Sequence, residues 1–167
     1  MAVKNLPATN NVADENIIDI DLSAIKKQRF RINGDNNKIL ELNTSDIGII
    51  PRLEETYPKL IALQNKVASL AEINEEADDD TLLSSTAKKL KEIDAGMRES
   101  LDYIFQSNVS EICGSEGSMY DPIDGVFRYE HIIERLSKLY ENSFESEFAK
   151  MKQRVDKHAS KYTKKKR

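Results

Sequence analysis

Residues 126–155 read VFRYEHIIERLSKLYENSFESEFAKMKQRV, a long uninterrupted helical pattern. Tyr129, Ile132, Ile133, Leu136, Leu139, Tyr140, Phe144, Phe148, Met151 and Val155 recur at helical spacing, which makes one apolar stripe on one helix. The helix is predicted to begin near Gly125 or Val126 and to pass Val155. At 1.5 Å per residue it is then about 45 Å long or longer. A compact chain of 167 residues has a radius of gyration of only about 15 Å. The end of the helix is therefore expected to project from the body or to pack on another subunit.

The charge is unevenly placed around this helix. Residues 150–167 hold nine basic residues and the single acid Asp156, a balance of +8. The whole chain carries −4, so residues 1–149 carry −12. Lys150, Arg154, Lys157, Lys161 and Lys164 step by four and three and form a basic stripe. Phe148, Met151, Val155, Ala159 and Tyr162 form a weaker apolar stripe beside it. A basic amphipathic helix suits an acidic helix, nucleic acid or a membrane surface. Its thin apolar face argues against the membrane, nucleic-acid binding has no motif beyond charge, and an acidic protein partner or the chain's own acidic segment at 72–80 suits the stripe at least as well. A solvated helix end, favoured by the helix dipole, accounts for the same cations without any partner.

Upstream, Leu83, Ala87, Leu90, Ile93, Met97, Leu101, Ile104 and Phe105 mark a helix from about 81 to 106, with Asp80 or Thr81 as its cap. Gly96 inside it allows close approach of another helix. Residues 72–80 hold six acids and read as an exposed connection. Leu53, Tyr57, Leu60, Ile61, Gln64, Val67 and Leu70 again show helical spacing, with Gln64 the one polar member. Pro51 and Pro58 interrupt that stripe. Because proline removes a donor and clashes with the preceding turn, the sequence predicts a short helix over 46–57 and a longer one from Pro58 to Asn74. Thr44, Ser45 and Asp46 are the N-cap candidates.

The N-terminal part reads differently. Phe30 and Ile32 alternate with Arg29 and Arg31, and Leu40 and Leu42 share a face of Lys38–Leu42. Between them Asn33-Gly34-Asp35-Asn36-Asn37 is a five-residue hairpin loop of residues that tolerate positive φ. Ile18, Ile20 and Leu22 alternate with Asp19 and Asp21 and suggest a further strand. Residues 1–16 have no periodicity and read as a disordered arm without a secretory h-region. The expected fold class is α+β, mainly α: a small N-terminal antiparallel sheet packed on about four helices, the last one long. The expected organisation is an arm (1–16), a single domain (17–149) and a basic helical tail (150–167).

Little in the chain suggests catalysis or a cofactor. Placing Gly125 at the glycine position of a calcium loop puts Tyr120 first, Pro122 third and His131 twelfth, all unsuited to the ion. Asp121-Pro122 and Asp124-Gly125 read instead as turn dipeptides. Gly114-Ser115-Glu116-Gly117-Ser118 lacks the Lys-Ser/Thr of a phosphate loop and reads as a flexible connection, and Asn108-Val109-Ser110 starts a single helical turn ending at Cys113-Gly114. Cys113 is the sole cysteine, so no internal disulfide exists, and neither His131 nor His158 has a second ligand at metal spacing. A Cys113–His131 nucleophile pair would have to be assembled by the fold, and no signature surrounds it. No cofactor, metal or catalytic residue is expected.

The order of parts resembles small tail-assembly proteins encoded near the tape measure in long-tailed bacteriophages of Gram-positive hosts. The likeness is carried by the Arg29–Leu42 hairpin, the Leu101-Asp102-Tyr103-Ile104-Phe105 helix end, Asn108-Val109-Ser110, the glycine loop and Phe127-Arg128-Tyr129-Glu130-His131-Ile132-Ile133. It covers roughly Ile18 to Tyr140 and leaves out the arm and the basic tail. The resemblance implies a non-enzymatic tail assembly chaperone in the host cytoplasm, which self-associates and coats the helical tape measure protein. It also implies that a second, longer product can arise by ribosomal slippage, and Lys164-Lys165-Lys166 is what an A-rich slippery site would encode. The residues expected to contact the partner are Phe144, Phe148, Met151 and Val155, with Lys150, Arg154, Lys157 and Lys161 beside them. A structural protein retained in the virion and a nucleic-acid-binding accessory protein are the alternatives.

Overall fold

The computed structural model describes residue 18, residues 20–22, 27–70 and 79–164, with side chains from Asp80 to Lys157 in the last stretch. The element order is β1 (Gln28–Arg31), β2 (Ile39–Leu42), α1 (Ile49–Leu70), α2 (Asp79–Phe105), α3 (Val109–Cys113), β3 (Pro122–Ile123), β4 (Val126–Phe127) and α4 (Arg128–Lys164). The fold is therefore α+β and mainly α, with a small N-terminal hairpin and a long last helix. The arm (1–16) and most of the acidic connection lie outside the described residues. So do the expected end of α1 at Asn74 and the side chain of Lys161.

The first hairpin forms as its loop residues dictate. Ile32 N donates to Lys38 O (2.9 Å), which closes the loop over 33–37. Asn33 and Gly34 take φ of 52° and 73°, and Asp35 Oδ1 accepts from Asn37 N at 2.8 Å. Phe30 pairs with Leu40 and Gln28 with Leu42, so Leu40 and Leu42 turn into the core while Arg29 and Glu41 form an exposed ion pair. The expected strand at Ile18–Leu22 is not found among the described residues there, and Asp19 lies outside them. Ile18, Ile20 and Leu22 lie outside any strand and are exposed, Ile18 by 86%. Alternation alone names no pairing partner, and an extended segment in water carries the same pattern.

α1 and α2 form an antiparallel pair. Tyr103 Oη donates to Glu55 Oε2 (2.8 Å), Lys59 pairs with Glu99 (3.2 Å), and Arg52 Nε donates to the carbonyl of Ile104 (2.8 Å). At Gly96 the helices approach closely, and a Cβ there would stand 3.1 Å from Leu63 Cδ1. In this register Leu70 lies near residue 89, so the start of α2 extends past the described end of α1. That explains why Leu83 and Ala87 are exposed although they continue the stripe of Ile93, Met97 and Leu101.

The expected break in α1 does not occur, for α1 is one helix containing Pro58. Pro51 sits in the first turn, where amides have no intrahelical acceptor. Pro58 deprives the carbonyl of Glu54 of its donor, but both residues are on the exposed face and water can reach that oxygen. The helix is entered through an Asx turn: Asp46 Oδ1 accepts from Gly48 N (2.9 Å), and Asp46 Oδ2 accepts from Arg52 (2.6 Å).

The core gathers Leu40 and Leu42 from the hairpin, Ile49 and Leu60 from α1, Met97, Leu101, Ile104 and Phe105 from α2, and Tyr129, Leu136 and Tyr140 from α4. The polar member of the α1 stripe has its partner there. Tyr129 Oη donates to Gln64 Oε1 at 2.5 Å. Burial pushes the phenols of Tyr129 and Tyr140 up to about 12.

Candidate interaction surface on the projecting helix

The direction of α4 is set by the segment before it. Gly114–Ser118, expected to be a flexible connection, is pinned. Arg98 reaches from α2 and donates to the carbonyls of Ser110 (3.0 Å), Gly114 (3.1 Å) and Gly117 (2.7 Å), while Asp94 Oδ2 holds its Nε at 2.6 Å. The other Asp94 oxygen accepts from Met119 N (2.6 Å), and Glu116 binds Lys38 of the hairpin. Asp102 accepts from both the amide and the hydroxyl of Ser110, each at 2.7 Å, and so holds α3. Gly114 is required by space: a Cβ would lie 2.6 Å from the carbonyl of Ser110 and inside the Met119 side chain.

Next comes a second hairpin that the turn dipeptides signalled only in part. Asp124 and Gly125 take φ of 52° and 78° and join β3 to β4, the pattern of a two-residue hairpin turn. Arg128 N donates to Asp121 O (2.9 Å) and Tyr129 N to Met119 O (3.0 Å), which ties the first helical turn to the pinned loop. Glu130 reaches back to the amide of Phe127, as in a capping box. α4 therefore leaves the body from a fixed base.

Its inner half is core. Tyr140 packs on Phe105 (ring centroids 5.9 Å apart), and Ser143 meets the hydroxyl of Thr44 at 3.2 Å. Phe144, half-buried, is the last of the described α4 side chains packed against the core. From Glu145 to Lys157 every residue is exposed. An edge-to-face ladder carries the apolar face outward: Tyr140 to Phe144 at 6.2 Å, then Phe144 to Phe148 at 6.5 Å. Phe148, Met151 and Val155 follow with 52%, 57% and 65% exposure.

Of the eight residues expected to meet a partner, Phe144 thus belongs partly to the core, and Phe148, Met151 and Val155 form an uncovered stripe. At 100° per residue, Lys150 and Lys157 point roughly 130° and 150° away from the centre of that stripe. Lys150 pairs with Glu147 at 2.7 Å. The charges that flank the stripe are instead Glu147 and Arg154 on one side and Glu145 and Lys152 on the other. Of these four, the sequence reading singled out only Arg154. Helical-wheel angles would have found the others; following the basic residues alone did not.

A second surface is an open cleft of about 540 Å³, lined in part by Arg31, Arg128, Arg135, His131 and Cys113. It brings Cys113 and His131 to one place. Burial and the neighbouring Asp102 push the thiol up to about 11, so it stays protonated at neutral pH. His131 Nε2 is bonded to the carbonyl of Ile123 at 2.9 Å, and no hydrogen bond joins it to the thiol. The pair does not provide a thiolate nucleophile. Among the described residues no cluster of three metal-ligating side chains exists, and no helix is long and apolar enough to cross a membrane.

No protein-family model, curated protein or solved structure matches the chain. The arrangement among the described residues is a small helical body that holds the inner half of α4 in its core and leaves the outer half exposed with an apolar stripe.

Proposed function

We propose that the chain is a tail assembly chaperone of a long-tailed bacteriophage, a non-enzymatic protein that holds the tape measure protein in the host cytoplasm before the tail tube forms around it. One observation carries the reading. Helix α4 leaves the body at Phe144 and runs exposed on all sides from Glu145 to Lys157, with Phe148, Met151 and Val155 uncovered along one face. Such a face suits docking of another helix through anchors spaced at three and four residues. A tape measure protein is long and helical and offers many such faces, and the likeness in the order of parts supports the same assignment.

The test is coexpression of the full chain with its cognate tape measure protein, together with composition analysis of purified particles. The proposal expects the tape measure protein to remain soluble only when the chain is present, and the particles to lack the chain. Retention of the chain in finished particles would favour the structural virion component instead. The outward-pointing Lys150 and Lys157 favour the nucleic-acid alternative. It predicts binding that falls steeply with salt and an unaltered solubility of the tape measure protein.

A further inference from the structure

We propose that the outer part of α4 pairs antiparallel with the same segment of a second copy of this chain. The inference goes beyond the chaperone reading and does not depend on it.

The spacing of the apolar residues carries it first. Phe144, Phe148, Met151 and Val155 are separated by four, three and four residues, which is the seam spacing of a two-helix coiled coil. The series is also symmetric about its midpoint. Under a two-fold axis perpendicular to the helix, Phe148 meets Met151 of the other copy and Phe144 meets Val155. Each stripe then covers the other along its whole length, as a self-complementary interface requires.

The flanking charges carry it independently. In an antiparallel pair each flank of one helix faces the corresponding flank of the other. With Phe148 opposite Met151, Glu147 stands beside Arg154 of the second copy, and Glu145 stands beside Lys152. Both flanks are complementary, and the two-fold axis doubles each pair. A parallel pairing would set Glu147 beside Lys152 and would leave Glu145 and Arg154 without opposite charges. The larger charge pattern agrees. Residues 150–167 carry +8 and residues 1–149 carry −12. Antiparallel helices direct each basic end toward the other copy's acidic body, whereas parallel helices would place the two basic ends together.

Among the described residues nothing covers the outer part of this face, since Glu145 to Lys157 are exposed, and Phe144 at its inner end is half-buried. The base of α4 is fixed by the pinned loop, so a second copy meets a helix that is already oriented. Four seam layers make a short contact, so the pairing is concentration-dependent and open to displacement by another helix.

The test uses the full chain alone, by sedimentation equilibrium over a concentration series reaching about 1 mM, the range of weak pairing. The proposal expects a monomer–dimer equilibrium. Phe148→Ser should raise the dissociation constant about a hundredfold, without changing the circular dichroism of the body. Glu147→Arg should raise it about tenfold, because it sets like charges face to face twice. The double variant Glu147→Arg/Arg154→Glu should bring it back to near the starting value. A chain monomeric throughout the series overturns the pairing. So does a dimer indifferent to Phe148→Ser, and a dimer weakened by Glu147→Arg but not restored by the double variant overturns the antiparallel register. These measurements contain no tape measure protein, so they fail or succeed separately from the capture experiment.

Discussion

Replacing Arg98 by Met keeps the length of the side chain but removes the guanidinium that joins α2 to the loop before α4. Four hydrogen bonds that Arg98 donates are lost: one to Asp94 Oδ2 and one each to the carbonyls of Ser110, Gly114 and Gly117. A hydrogen bond to a charged group contributes about 1.5–3 kcal/mol when sheltered. Here the Arg98 and Asp94 side chains are 29% and 20% exposed, so water replaces part of what is lost. The net cost is taken as about 3 kcal/mol, the low end for breaking a buried ion pair. With a urea dependence of about 2 kcal/mol per molar, the unfolding midpoint should fall by roughly 1.5 M. Urea unfolding followed by circular dichroism reads this directly, and hydrogen exchange at Tyr129, whose amide bonds to the pinned loop, should quicken with it. Arg135→Met is the control: Arg135 is exposed and makes no ion pair within 4 Å among the described residues, so its midpoint should stay within about 0.3 M. If the two variants shift equally, Arg98 does not hold the loop and the fixed base of α4 is refuted.

Three further outcomes follow from the same geometry. Gly114→Ala should destabilise the chain by about 2–3 kcal/mol in the same urea experiment, because its Cβ would meet the backbone carbonyl of Ser110 at 2.6 Å as well as the Met119 side chain. Cys113 should alkylate slowly at neutral pH, with a rate midpoint displaced upward toward about 11, and stability should fall as pH rises from the ordinary thiol value of 9 toward 11, since the unfolded chain then loses that proton first. Met151→Ser should leave the melting temperature within about 2 °C of the parent, since the side chain is more than half exposed and supports no core.

Much of the fold was legible where the deciding interactions are local. The Asn33–Asn37 loop announced its hairpin because its residues accept positive φ. The α2 and α4 stripes announced their helices, and Gly96 marked the close approach of α1. Local rules misread α1, because whether a proline breaks a helix depends on which face carries the freed carbonyl. Pro58 stands on the exposed face. Ile18–Leu22 misled for a related reason, since alternation specifies a strand only when another strand is available. The pinned loop was hidden because its clamp, Arg98, lies 16 and 19 residues from the carbonyls that it binds. On α4, reading the cations as one stripe hid the acids: Glu145 and Glu147 flank the apolar face more closely than Lys150 does. The chemistry of the Cys113–His131 cleft could not be read from the sequence, because it depends on burial and on the carbonyl of Ile123.

The proposal that the outer half of α4 is the working surface is tested by hydrogen–deuterium exchange on the full chain with and without a tape measure protein, the partner proposed for it. Slowed exchange confined to residues 141–157, with the β1–β2 hairpin and the α1–α2 pair unchanged, is the predicted result. Slowed exchange at the Arg31, Arg128 and Arg135 cleft, with 141–157 exchanging as in the free chain, would contradict it.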